Sequence, residues 1–232
     1  MGISVSRQDF RPRREATGQI VRIGLPIALQ DGLIQVAFII ITIIANRRGL
    51  SDAAAVGIVE KIISFLFLVP SSMLSAVSAL GAQNIGAGKP ERAVRTLYYS
   101  IGITVGFGVI ISIIIQFVAA PVVGLFTRDT GVIIAGSQYI RGYIWDCMFA
   151  GIHFSFSGYF CACQKSGLSF LHNITAIVLV RVPGVYLMSK LFSDTLYFMG
   201  LATAAGSLLS VIICVIAFII LLKKERENKA FR

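Results

Sequence analysis

Six long stretches of the chain are almost wholly apolar, and short polar turns separate them: Gly24 to Asn46, Ala53 to Leu80, Val94 to Ala120, Ile133 to Cys161, Phe170 to Leu191 and Leu196 to Leu222. Each is long enough to cross roughly 30 Å of hydrocarbon, which takes about 20 helical residues. Inside that layer no water reaches the backbone, so every N–H and C=O must be satisfied within a helix or a closed barrel. Barrel strands are about 10 residues long and alternate strictly, and these runs do neither. The pattern predicts an all-α integral membrane protein: a six-transmembrane-helix bundle over residues 23–222, between a basic arm (1–22) and a basic tail (223–232). Pro70 and Pro183 each remove a backbone donor and predict kinks in the second and fifth helices.

Composition narrows the picture. With 56% hydrophobic and 14% charged residues in a chain of 232, too little polar surface exists to cover a soluble globule. The arm carries Arg7, Arg11, Arg13, Arg14 and Arg22 without the apolar segment of a secretory signal. Counted over the predicted connections, fourteen basic residues fall on the side holding both termini and four (Arg47, Arg48, Arg128, Lys190) on the other. The side that retains Lys and Arg is normally the cytoplasm, so the expectation is a multi-pass protein of the cell (plasma) membrane with both termini cytoplasmic. The net charge of +10 is thereby accounted for by topology and attraction to anionic lipid, and nucleic acid is not an expected partner.

Several features resemble chemistry and fail on inspection. Cys147, Cys161, Cys163 and Cys214 lie in or beside apolar runs, with only His153 and His172 as possible co-ligands, so they read as small buried hydrophobes rather than a metal site. The glycine-rich turn ending Gly88-Lys89 lacks a phosphate cradle's pattern, because Gln83 stands where the first glycine belongs and Pro90 where Ser or Thr belongs. No nucleophile–base spacing argues for catalysis, and the chain is read as no enzyme. Gly102 with Gly106, and Ala202 with Gly206 and Ser210, place small residues on one helix face and predict close helix packing.

Ionisable residues within the apolar layer are costly and so mark functional candidates. The runs contain Asp31, Glu60, Lys61, Arg141, Asp146 and Arg181. Counting 1.5 Å per residue puts Asp31 and Glu60 about 10 Å inside the layer and Asp146 about 20 Å or less, so Glu60 and Asp146 are expected to reach one central cavity. A carboxylate kept from water takes up a proton or is compensated by a cation, which makes Glu60, Asp146 and Asp31 the candidate coupling sites, with Na⁺ at Glu60 or Asp146 as the only metal considered. The alternative is that Glu60 pairs with Arg141 or Arg181 and only holds helices together. Tyr143, three residues before Asp146 and hence on its face, is a further cation-binding candidate as a ligating oxygen, and Ser64, four after Glu60, shares the face of that acid. Gln30, Gln35, Ser64 and Asn173 are the candidate cavity-lining polar groups, or else interhelical glue.

These residues also carry a resemblance. Ile23-Gly-Leu-Pro-Ile-Ala-Leu-Gln30, Ala55-Val-Gly-Ile-Val-Glu-Lys61 with Pro70, Ala82-Gln-Asn-Ile-Gly-Ala-Gly-Lys-Pro-Glu-Arg-Ala93, Leu125-Phe-Thr127 and Arg181-Val-Pro183 together resemble the multidrug and toxic compound extrusion (MATE) family. The resemblance covers Arg22 to Leu222, and the loop from Gln83 to Ala93 is its most specific part. It implies one lobe, the C-terminal one, of a twelve-helix antiporter that exports organic cations and amphipathic drugs in exchange for Na⁺ or H⁺, with no cofactor beyond that ion. It also implies that acids of the first, second and fourth helices bind the cation or substrate; by helix these match Asp31, Glu60 and Asp146. A second six-helix lobe, as a separate chain or a second copy, is then the expected partner besides the lipid bilayer and the substrate. Two other readings stay open: a non-transporting truncated fragment or assembly partner, and a flippase for lipid-linked substrates of related architecture.

Overall fold

The computed structural model describes residues 14–230. They form α1 (Arg14–Asn46), α2 (Leu50–Leu66), α3 (Leu68–Gly86), α4 (Pro90–Gly124), α5 (Thr130–Tyr143), α6 (Asp146–Ala162), α7 (Ser166–Ala176), a π-helical segment (Ile177–Arg181), α8 (Val182–Leu191) and α9 (Tyr197–Ala230), with no strand among the described residues. Five helical stretches are long and apolar enough to cross a membrane: Gly24–Asn46, Leu50–Gly86, Pro90–Gly124, Ser166–Leu191 and Tyr197–Lys224.

The remaining expected run, Ile133 to Cys161, is not one helix. It is split into α5 and α6, of 14 and 17 residues, with Ile144 and Trp145 between them. No proline causes this break. Instead α4 supplies donors to the carbonyls around it: Ser112 Oγ donates to Ile144 O at 3.2 Å and Gln116 Nε2 to Arg141 O at 3.0 Å. A helix whose carbonyls find side-chain partners loses little when its own ladder is interrupted.

The other breaks follow proline chemistry. The ring of Pro70 clashes with the carbonyl four residues back, that of Leu66, and α2 ends there, with α3 restarting after Phe67. Pro183 similarly follows the π-helical stretch, whose wider turns spread the backbone over one extra residue. Pro121, beyond the expected end of the third run, lies inside α4, and Val118 just before it leaves helical geometry (φ −110°, ψ 15°).

The glycine-rich turn is a helix hairpin. Ala87, Gly88 and Lys89 donate their N–H groups back to Gln83, Ile85 and Asn84, and Gly88 adopts φ +71°, a conformation that favours glycine. Pro90 then opens α4, where its missing donor costs nothing.

Close crossings fix the bundle. A Cβ on Gly142 would sit 2.1 Å from Tyr197 O, and one on Gly200 2.3 Å from Tyr139 O, so α5 and α9 meet backbone to backbone. Gly151 receives Thr104 of α4 in the same way, and Gly158 the Leu74 carbonyl of α3. Of the two small-residue faces, Ala202, Gly206 and Ser210 are buried, with Gly206 against Arg181. Gly102 and Gly106 are exposed with nothing within 4 Å of a Cβ on either, so the close packing expected for them is not made within the chain. Four-residue spacing shows that two residues share a face but not which way the face points. The apolar core of Ile41, Val59, Ile63, Tyr139, Ile144 and Met199 lies between α1, α2, α5 and α9, while Ile110, Ile113, Phe117, Ile216 and Ile220 face outward, where lipid would solvate them.

Candidate functional site

Two cavities open along the face made by α1, α2 and α3. One, of about 280 Å³, is lined by Gln35, Phe38, Ile39, Thr42, Ile43, Glu60, Lys61 and Ser64. Its neighbour, of about 270 Å³, is lined by Asp31, Ile34, Gln35, Phe38, Ser64, Phe67, Ser71 and Phe154. The shared residues Gln35, Phe38 and Ser64 join them into one mixed polar and apolar surface. Ser64 and Ser71 lie on opposite sides of the helix break at Phe67, and both line the second cavity.

Glu60 is the buried acid of this surface, 9% exposed. Its Oε2 accepts a hydrogen bond from Thr42 Oγ1 at 3.3 Å, and its Oε1 has no hydrogen-bond partner. The single hydroxyl proton of Thr42 is shared between Glu60 and Phe38 O, 3.0 Å away, which holds the hydroxyl on that side of α1. Ser64 Oγ is turned back onto the Glu60 carbonyl at 2.7 Å. The ion pairs among the described residues are Arg48–Asp52 and Arg181–Asp146, so neither neutralises Glu60. The alternative pairing of Glu60 with Arg141 or Arg181 is therefore not made.

Asp146 is placed differently from the expectation. It lines neither cavity, is fully buried at the start of α6, and accepts from Arg181 Nη2 at 2.7 Å. The same nitrogen donates to Ser207 Oγ of α9 at 3.2 Å. Arg181 ends the π-helical segment, and only a residue without a side chain at Gly206 lets α9 approach this closely. The shared face argued for Tyr143 and Asp146 crosses the α5–α6 break, so helical register no longer sets it. Tyr143 is fully buried, packs edge-on against Tyr139 at 5.6 Å, and shares an electrostatic neighbourhood with Glu60, Asp146 and Arg181.

The other candidates divide. Asp31, Gln35 and Ser64 line the joined cavity; Gln30 is buried and lines neither part of it. Asn173 instead borders a void of about 20 Å³, room for one water, together with His153, Arg181, Ser207 and Ser210. The sequence reading missed Thr42 as the partner of Glu60 and Ser207 as the third member of the Arg181 cluster, because 18 and 26 residues separate the partners. A hydroxyl in the middle of an apolar run was the available signal. Among the described residues no group of three or more His, Cys, Asp or Glu could hold a metal, and no disulfide joins the four cysteines.

An acid-lined cavity on one face of a helical bundle built for lipid defines a polytopic membrane protein with a solute-sized polar recess. Its family follows from comparison: the MatE family model matches residues 26–187, and the chain belongs to the MatE family. A probable multidrug resistance protein NorM from Aromatoleum aromaticum is 29% identical over 121 residues, covering 52% of this chain and 26% of that protein. An FAD transporter from Shewanella oneidensis is 28% identical over 177 residues, 75% of this chain and 39% of the other. A solved outward-facing multidrug resistance MATE family transporter of the MOP superfamily superposes with a TM-score of 0.88 at 17% identity, over 97% of this chain and 51% of that one. The chain thus has the fold of about half a MATE transporter, and it spans less than half the length of these curated relatives.

Proposed function

We propose that the chain is one lobe of a cation-coupled efflux antiporter, with Glu60 as the residue that takes up the coupling cation, Na⁺ or H⁺, and the joined cavity as the substrate surface. The observation that carries this is the unpaired Glu60 carboxylate on the wall of a cavity large enough for part of an organic cation. A buried carboxylate with one hydroxyl partner is poorly compensated in an apolar layer, so binding a proton or Na⁺ removes a real electrostatic cost. Loss of that cation restores negative charge beside the cavity and attracts a cationic substrate, while its return disfavours the same substrate. Asp31, on the wall of the adjoining cavity, adds a second carboxylate to a surface that also carries Lys61, and Phe38, Phe67 and Phe154 supply apolar and aromatic contact for an amphipathic guest.

Alternating access in such a transporter needs a second lobe rocking against this one, and the family resemblance to two-lobed relatives supports a second six-helix lobe as partner. The basic-residue count supports cytoplasmic termini in the cell membrane. The test is ethidium efflux from exporter-deficient cells expressing the chain with its second lobe: Glu60→Gln removes cation-dependent efflux, and Glu60→Asp retains part of it. Equal efflux from wild type and Glu60→Gln overturns the assignment.

A further inference from the structure

We infer that Arg181 is a built-in counter-cation occupying Asp146, so that exchange of a free cation falls to Glu60 and Asp146 is withheld as a ligand. The inference rests on the exchange reading above and adds to it which of two buried acids is available.

The geometry is specific. Asp146 receives Arg181 through one nitrogen at its Oδ2, and its Oδ1 has no hydrogen-bond partner. A guanidinium that merely locks helices together commonly engages both carboxylate oxygens through its two-nitrogen fork. Here one Nη2 serves both Asp146 and Ser207, and the second carboxylate oxygen, Oδ1, is buried with its acceptor capacity unused. The guanidinium is covalently tethered and cannot leave. Its backbone is also confined, because a Cβ on Gly206 would approach Arg181 Cβ to 2.9 Å, leaving α9 no room for another residue there.

Arg181 also lies within electrostatic reach of Glu60, Tyr139 and Tyr143. Its charge, together with that of Lys61, therefore weakens the draw of Glu60 on a mobile cation. With Arg181 neutral, Asp146 becomes a second buried carboxylate in the cluster whose tyrosines, Tyr139 and Tyr143, also interact with Glu60, and two acids beside Lys61 hold Na⁺ more tightly than one. With both Arg181 and Asp146 neutral, the local charge matches that of the native pair, and Glu60 again acts alone.

The experiment measures cation retention by the purified chain with its second lobe in lipid vesicles, using radioactive Na⁺ and, in parallel, proton release on Na⁺ addition. Arg181→Gln is expected to bind Na⁺ about tenfold more tightly, or to hold one more cation per chain, as an added nearby charge implies. The charge-neutral double variant Asp146→Asn with Arg181→Gln returns to wild-type retention, still lost on adding Glu60→Gln. Unchanged Na⁺ retention in Arg181→Gln overturns the inference, as does loss of the Glu60-dependent cation in the double variant, which would make Asp146 a ligand. If Arg181→Gln does not fold, the double variant decides alone, because it leaves no unpaired buried charge. A wild-type protein with no Glu60-dependent cation sinks the exchange reading instead, while a gain in Arg181→Gln still reads the role of Arg181.

Discussion

Glu60 and Asp146 are both carboxylates within the apolar bundle, and they differ in almost everything else. Asp146 is fully buried and held by a guanidinium; Glu60 stands on a cavity wall with one hydroxyl partner. An acid in a membrane helix is expensive in either place, but the compensation differs: a fixed charge in one case, and in the other a position that a mobile ion can fill. Partnership rather than depth separates the acid held by a fixed charge from the acid proposed to exchange its cation.

The largest break in this comparison comes from stranding the guanidinium. Asp146→Ala leaves Arg181 buried without its partner and should cost about 3–5 kcal/mol, read as a lowered unfolding temperature in detergent, whereas Glu60→Gln should change that temperature little. Next in size, Gly200→Ala drives a Cβ into the Tyr139 carbonyl and should destabilise by about 1–3 kcal/mol. Arg48→Ala releases a guanidinium that binds Asp52 and the carbonyls of Ser189, Phe192 and Ser193 at the α8–α9 connection, a loss of about 1–2 kcal/mol by the same measurement. Gly102→Ala should move the other way, stabilising by about 0.5 kcal/mol, since the position is helical, exposed and unobstructed. The smallest stability effect is expected for Thr42→Val, which removes a hydroxyl shared between Phe38 O and Glu60 and should shift the concentration of cation needed for half-maximal efflux more than the unfolding temperature.

Much of this was legible in the chain itself, for reasons that are local. Apolar runs report their solvent, prolines report two of the breaks, and an acid such as Glu60 in an apolar run announces its own cost. What escaped notice is what tertiary packing supplies. The α5–α6 break depends on Ser112 and Gln116 reaching over from α4, and nothing in residues 141–146 contains a proline to foretell it. The assignment of Arg181 to Asp146, 35 residues away, follows from a π-helical turn and from Gly206 making room. The outward orientation of Gly102 and Gly106 was equally hidden, because a spacing rule is silent about direction.

The account depends most on Glu60 exchanging a cation as the cavity fills and empties. Vesicles containing the chain and its proposed second lobe, loaded with ethidium and given an imposed Na⁺ or proton gradient, measure this directly. The gradient should accelerate ethidium flux through the wild type and leave flux through Glu60→Gln at its ungraded rate. Gradient-driven flux that survives Glu60→Gln intact would contradict it.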